Sequence, residues 1–518
     1  MDFDALRAKL SNRLDRFSYT ALPSERPRSR TVSPLLSLIS ATLVLPDSLW
    51  HRSRLARLSI YTAFVLTLLC FLSLYSGSHG LLPLPPSPRP HRSRLSKEEY
   101  IRAVLRNPVE GLLDPEPISQ KCSETRFQEG LVWHCDTVVG GIGNVGNMWL
   151  NCVRYAIEAG ATTLVLPTLG ARADDLVDLG NKDNAVDLSL LFDVDYFLAA
   201  WQQVCPQMRA VVADTDIPNL PAPASDRSPH LQPARVKAFP MRKYLLVDPT
   251  GWRAAFDGWL ASVLSHSQPS MSAEDPVRVW QDMVLAQWNR EASGSHTPAF
   301  GNAFPRLFRF PETTKRLAAS VLWCMEQKLG RPVVSDSILF LPSPGRTNHL
   351  AAGRLAAGAF MGVHMRVAAD AATAGWPGYE AQAPFFLAEA QRRNLSTIYL
   401  ATGSQEHRDR FRQDAAAAGL QVLTKEDLLD DGDDEERAAL QALTWDQRAL
   451  VDFDVLVHSS WFYGFVRSSF SWAIALRRGT LPEAGPSQVT DALGDEYRDS
   501  LSAVVGRHPN INPEGMWP

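Results

Sequence analysis

The stretch FMGVHMRVAAD, residues 360–370, decides the fold. Its first half is an apolar run of strand length. A histidine, an arginine and an aspartate then arrive at its end, at spacings of two and four. In a strand, alternate residues face the same way, so His364 and Arg366 emerge together at the C-terminal mouth. In doubly wound sheets ligands bind at that mouth. An arginine placed there offers a planar fork that donates two parallel hydrogen bonds and stays charged throughout a reaction, which suits a diphosphate. The plain alternative is a structural ion pair between Arg366 and Asp370.

The same style recurs on either side. GLVWHC (130–135) leads through DTVV into glycines, Met148, Cys152, Ala156 and Ala159 follow at helical spacing, and TTLVLP (162–167) reads as the next strand. RAVVAD (209–214), KYLLVD (243–248) and SDSILFLP (335–342) are further strand candidates, separated by the helical patterns DYFLAAWQQV and KRLAASVLWCMEQKLG. The second half repeats this with STIYLATG (396–403), LQVLT (420–424) and DFDVLVHS (452–459). The proline-rich 217–233 has no period and reads as a surface loop, and DDGDDEER (430–437) as a solvated turn opening a helix. Two successive sets of alternating strands and helices give an α/β chain with two parallel-sheet, Rossmann-like domains and a cleft between them. The expected boundary lies near residue 345, giving domains at 120–345 and 346–518.

A chain of 518 residues is too long for one compact core. A net charge of −4 and a pI near 6.3 exclude the basic face of a nucleic-acid binder. Residues 58–75, LSIYTAFVLTLLCFLSLY, carry no charge for 18 positions. As a helix they would span roughly 27 Å, close to a hydrocarbon core of about 30 Å. They start too late for a cleaved signal peptide, so a retained signal anchor at 58–76 is expected. Arg52, Arg54 and Arg57 precede it and the next basic residue is Arg89. That asymmetry places the tail 1–57 in the cytosol and the remainder across the membrane, a single-pass type II arrangement in the ER or Golgi. The shorter apolar stretch 33–46 is too short to span. Residues 77–119, with LLPLPPSPRPHRSR at 81–94, form a proline-rich stem.

Five cysteines follow the anchor: Cys122, Cys135, Cys152, Cys205 and Cys324. An oxidising lumen would hold two bridges and leave one thiol, with Cys122–Cys135 the expected short-loop pair; the alternative is five reduced cysteines. Asn394-Leu395-Ser396 is a glycosylation sequon compatible with a lumenal face.

Two further motifs carry chemistry. GGIGNVGN (140–147) sits between a strand and a helix, where glycines let the backbone approach a ligand and the helix start offers unpaired N–H groups. Asn144 there is either a ligand contact or a helix cap. FYGFVRSSFSWAIALRRG (462–479) opens a helix on Ser468, Ser469 and Ser471, a second phosphate cradle or an ordinary serine cap. Asp193-Val-Asp195 and Asp452-Phe-Asp454 spell DxD, a pairing of carboxylates that can hold a divalent metal; helix capping is the plainer reading of the first.

Taken in order, GGIGN with its helix and TTLVLP, then GVHMRxxxD, IYLATGS and the terminal SSFS helix, the chain resembles the GDP-fucose protein O-fucosyltransferase superfamily, and its membrane-anchored fungal branch most. The resemblance runs from about 130 to 480. It implies a GT-B architecture with GDP-fucose between the two domains, and inverting transfer of fucose to a protein or glycan hydroxyl with no cofactor and no metal. It also implies that Gly141, Gly143 and Asn144 line the cleft, with Asn144 and Arg366 catalytic. Arg366 would bind the β-phosphate, Asp370 would hold the nucleotide, and Ser468, Ser469 and Phe470 would meet phosphates or base. His364 would orient the arginine or contact the nucleotide. Relatives often carry glutamate two residues after the arginine, where this chain has Ala368. That departure keeps two alternatives open: a catalytically silent nucleotide-sugar or glycan-binding protein of the same fold, and a glycosyltransferase using another nucleotide sugar.

Overall fold

The computed structural model describes residues 95–170, 172, 185–221, 229–236, 241–242, 244–267, 270–283, 287–340, 353–430, 434–490, 495–506 and 513–518. The expected anchor, the stretch 33–46, the proline-rich 81–94 and the boundary near 345 lie outside these residues; the far part of the expected stem 77–119 is corrected, since Lys97–Arg106 is a helix with Tyr100 and Ile101 buried. Among the described residues no helix is long and apolar enough to cross a membrane.

Each half of the chain builds a twisted parallel sheet. In the first, strands β1 (Gln128–Cys135), β2 (Ala161–Val165), β3 (Arg209–Val211), β4 (His230–Leu231) and β5 (Val277–Gln281) run in the order β3-β2-β1-β5-β4, all parallel. In the second, β6 (Met361–Met365), β7 (Thr397–Thr402), β8 (Gln421–Leu423), β9 (Trp461–Phe465), β10 (Gln488–Thr490), β11 (Asp495–Arg498) and β12 (Ser502–Val505) run β8-β7-β6-β9-β12-β11-β10, the last two antiparallel. In both sheets the chain first steps outward on one side and then returns to the other side of the starting strand. The order therefore reverses between β1 and β5, and again between β6 and β9. Such switch points are where crevices form at strand C-termini. All five residues of β6 are buried. A strand covered on both faces by helices reads as one continuous apolar run, which is why this segment was legible.

The helices used below are α1 (Glu116–Glu124), α2 (Ile142–Ala159), α3 (Val194–Val204), α4 (Glu312–Leu329), which packs on the next one, α5 (Trp445–Val457) and α6 (Ser469–Gly479). Helix α2 stops at Gly160, whose φ of 69° puts it in the left-handed region that ends helices. The acidic run opens a helix as expected, with Asp434, Glu435 and Glu436 in the first turn of Asp434–Ala442.

Three strand expectations are corrected. DFDVLVHS is the end of α5, and the strand is the next segment, WFYGF. Thr444 starts α5 with a capping box: its hydroxyl accepts from the Gln447 N–H, and the Gln447 side chain accepts from the Thr444 N–H. The T-x-x-Q spacing at 444–447 is a helix-start signature that outweighs the β-branched content downstream. SDSILFLP forms a short helix, Asp336–Leu339, capped by Ser335. In KYLLVD only Leu245–Leu246 pairs, in a separate three-stranded sheet with Met241–Arg242 and Gln287–Trp288.

The expected Cys122–Cys135 bridge is also corrected. The bonds are Cys122–Cys205 and Cys135–Cys152, with Cα separations of 5.6 and 6.0 Å. Cys135 ends the extended β1, and at roughly 3.3 Å per residue a strand carries its end far from the helix that precedes it. Helix α2 runs back over β1 and presents Cys152 instead, while Cys205 at the end of α3 meets α1. Cys324 stays outside both bridges.

The end of the chain returns to the first half. Met516 and Trp517 are buried at 3% and 2% exposure. The Trp517 N–H donates to Asn147 Oδ1 at 3.0 Å, and the Arg290 N–H to the Glu514 carbonyl at 2.8 Å. The Trp517 ring packs on Phe304 at 4.9 Å and His296 at 5.4 Å. Truncating a buried tryptophan to alanine costs about 3 kcal/mol or more. Trp517→Ala is therefore expected to lower the urea midpoint by an amount equivalent to about 3 kcal/mol. A midpoint equal to wild type would show that the tail adds nothing to the fold.

Candidate functional site

A cleft of about 370 Å³ lies where the two switch points face one another. Its walls include Gly141, Asn144 and Arg172 from the first half, and His364, Arg366, Asp370, Ser468, Ser469 and Phe470 from the second. Every residue singled out for the site except Gly143 lines this cleft.

Gly143 has a different place. A Cβ there would sit 2.4 Å from the Ser469 carbonyl oxygen and 2.8 Å from the Phe470 nitrogen. The first turn of α2 therefore rests directly on the first turn of α6, and only glycine allows that approach. Two helix N-termini, one from each half, abut at the cleft. Gly140, at φ 100°, makes the turn that delivers the chain into α2. The N-cap of α2 is Gly141, with no side-chain cap, so Asn144 is not the cap; it is exposed in the third helical position. Ser468 caps α6, its hydroxyl accepting from the Ser471 N–H at 3.4 Å. Each helix start carries a positive partial charge of about half a unit.

Arg366 follows β6 at the switch point. Its guanidinium pairs with Asp370, its backbone N–H donates to Gln382 Oε1 at 3.0 Å, and its carbonyl accepts from Gln382 Nε2 at 3.0 Å. The fully buried Gln382 thus clamps the arginine's backbone from both sides. Asp370 also accepts from Arg172 Nη1 at 3.1 Å, so one carboxylate oxygen joins two guanidiniums from opposite halves. Burial pushes the Asp370 carboxyl up, but the hydrogen bonds and charges of Arg366 and then Arg172 outweigh it and hold it below the usual range. Asp370 in this structure holds arginines rather than an open ligand position. Arg172 further faces Asp446 Oδ1 at 3.4 Å and lies over the Trp445 ring at 4.9 Å.

His364 is buried, with Nδ1 2.8 Å from Ser471 Oγ and its ring 4.6 Å from that of Phe470. Burial, and secondly the Arg366 charge, push its pKa down to about 3. The imidazole is neutral at physiological pH, too weak a base to drive a proton transfer. Its place fits positioning the switch-point loop.

On the cleft floor, Lys425 Nζ meets Asp452 Oδ2 at 2.7 Å, and the Tyr399 hydroxyl donates to Asp452 Oδ1 at 2.7 Å. Because 452–454 is helical, Asp452 and Asp454 point to different sides, and Asp454 opens on a separate cavity with Lys315 and Arg477. Asp193 caps α3, accepting from the Tyr196 N–H at 2.9 Å. Asp193 is thus taken by a helix cap, and Asp452 by Lys425 and Tyr399. Ala368 is 2% exposed, and its methyl group packs beside Gly403, where an added Cβ would come within 3.1 Å of it. Asn394 is exposed at φ 59°, after the helix Ala383–Arg392.

Arg172, Gln382, Trp445, Asp446 and Lys425 escaped the sequence reading. Lys425, Trp445 and Asp446 lie in KEDLL (425–429) and WDQRALVDFDVL (445–456), which the resemblance also covers without giving them a role, and Arg172 and Gln382 lie in stretches without a motif.

No family model matches the sequence, and no curated protein matches it. Among solved structures the chain is similar to POFUT1 in complex with GDP-fucose, at 12% identity over 74% of this chain and 100% of that one, with a TM-score of 0.40. It is also similar to fucosyltransferase NodZ from Bradyrhizobium, at 15% identity over 68% of this chain and 94% of that one, with a TM-score of 0.33.

Proposed function

We propose that this chain is a glycosyltransferase that moves fucose from GDP-fucose to a hydroxyl of a protein or glycan acceptor, with inversion at the sugar carbon. The observation that supports this most is the meeting of two helix N-termini at Gly143 and Ser469, within one cleft that Arg366 also lines. Departure of a nucleoside diphosphate leaves negative charge on the phosphate. Fixed N–H dipoles and a permanent cation stabilise that charge without having to reorganise. Arg366 is the cation, held in place through Gln382 and Asp370. The proposal includes no metal or other cofactor. It also includes a type II membrane protein anchored by residues 58–76, with its catalytic part in the ER or Golgi lumen.

A silent nucleotide-sugar-binding role is the second reading. It is favoured by Asp370, which already engages Arg366, and by the packed alanine at 368. The deciding experiment incubates the full chain with GDP-fucose and a panel of glycan and peptide acceptors, and measures GDP release. Acceptor-dependent release is expected, together with a larger thermal shift from GDP than from UDP. Background release with a retained GDP shift would favour the silent reading, and a larger UDP shift would overturn the donor.

A further inference from the structure

Among the described residues four carboxylates line the cleft, and three of them are committed. Asp370 accepts from two arginines and from the Ala371 N–H at 2.8 Å. Asp452 accepts from Lys425 and Tyr399. Glu426 lies 3.3 Å from Lys425. Asp446 differs: its Oδ1 is buried and makes no hydrogen bond. The nearest cation is Arg172 Nε at 3.4 Å, which itself donates to nothing, so the two attract without a directional bond. Asp446 is placed by the first turn of α5, next to Trp445, whose ring carries Arg172. One guanidinium therefore separates it from the Arg366–Asp370 pair. Burial holds its carboxyl above the usual range, against Arg172 and Arg366, which pull it down, and with Asp370, which pushes it up. Among the described residues those three are the charged groups that act on it.

We propose that Asp446 is the general base of the transfer, accepting the proton of the acceptor hydroxyl at Oδ2, the oxygen that is not enclosed beside Arg172; this rests on the glycosyltransferase reading. The acceptor oxygen forms its bond to the sugar's anomeric carbon. The bond from that carbon to the phosphate oxygen breaks, and its electron pair leaves with GDP toward Arg366 and the two helix starts. The hydroxyl proton passes to Asp446 and goes to water after the products depart. A carboxylate that makes no hydrogen bond, with one oxygen enclosed beside Arg172 and the other open to the cleft, suits this task, because burial that no hydrogen bond offsets favours its protonated form. His364 is unsuited to it, being neutral and held on Ser471.

The test is Asp446→Asn in the full chain, with azide as a nucleophile that has no proton to lose. Transfer to a hydroxyl acceptor is expected to fall about 10²- to 10⁴-fold in kcat, with the GDP thermal shift kept. Azide is expected to restore GDP release and yield a fucosyl azide. The acid limb of the wild-type kcat profile is expected to disappear in the variant. A variant kcat within threefold of wild type would overturn the assignment, as would loss of the GDP shift, or absence of azide rescue with the shift retained. If wild type binds GDP but never turns over GDP-fucose, the transferase reading itself fails and the base falls with it. That outcome is recognisable because it appears in wild type rather than in the variant.

Discussion

Arg366→Ala is expected to slow GDP-fucose turnover about 10²- to 10³-fold, the usual effect of losing one preorganised donor to a developing anion. The loss should fall mainly on kcat, because charge on the departing diphosphate is largest in the transition state. The GDP thermal shift should shrink but persist, since the starts of α2 and α6 remain at the cleft. Stability should change little: Asp370 keeps Arg172 at 3.1 Å, so the substitution strands no buried carboxylate. Arg366→Lys should recover only part of the rate, because a single ammonium cannot donate the parallel pair of bonds that a guanidinium supplies. Gln382 sharpens the comparison. It fixes the backbone of residue 366 through two hydrogen bonds, so lysine or alanine starts from the same position as the native arginine. GDP release under saturating donor is the measurement. Turnover in the alanine variant equal to wild type would remove Arg366 from the chemistry and leave its pairing with Asp370 as a structural contact.

The parallel sheets were legible where strands are buried on both faces. Met361–Met365 and Thr397–Thr402 are unbroken or nearly unbroken apolar runs, and a parallel strand under two helical layers has no reason to alternate. The reading failed where a local rule competed. DFDVLVHS has strand composition, yet the capping box at Thr444 and Gln447 starts a helix that carries straight through it. Strand β5, beside β1 in the first sheet, went unread because Arg278 interrupts its apolar run; that arginine is buried and donates to the Pro221 carbonyl at 3.0 Å. The cleft residues found from sequence were those next to glycines or at a strand tip, positions where backbone geometry limits the choice of residue. Arg172 and Asp446 have no such signal. They meet only because the two halves fold against each other, and a contact between residues so far apart in sequence leaves no local pattern. Gly143 shows the opposite error: the motif was right, but the glycine serves helix-to-helix approach rather than ligand approach.

The bridge between Cys122 and Cys205 should matter more to stability than the one between Cys135 and Cys152. The sequence separations are 83 and 17 residues. On the chain-entropy account, closing loops of those sizes restricts the unfolded chain by about 4.5 and about 3 kcal/mol respectively. All four cysteines are buried in the same apolar core, so alanine is the substitution that adds no unpaired hydroxyl there. Cys122→Ala with Cys205→Ala is expected to lower the urea midpoint by the larger amount, Cys135→Ala with Cys152→Ala by the smaller. Peptide mapping without reduction should recover the 122–205 and 135–152 links and an alkylatable thiol at Cys324. The site should feel the two losses differently. Cys135–Cys152 ties β1 to α2, the helix whose start forms half of the anion cradle, whereas Cys122–Cys205 joins α1 to the end of α3. The smaller stability loss should therefore carry the larger weakening of the GDP thermal shift. A 122–135 link in the peptide map, or a GDP shift that weakens only when the 122–205 bridge is removed, would show that the bridges do not divide the work this way.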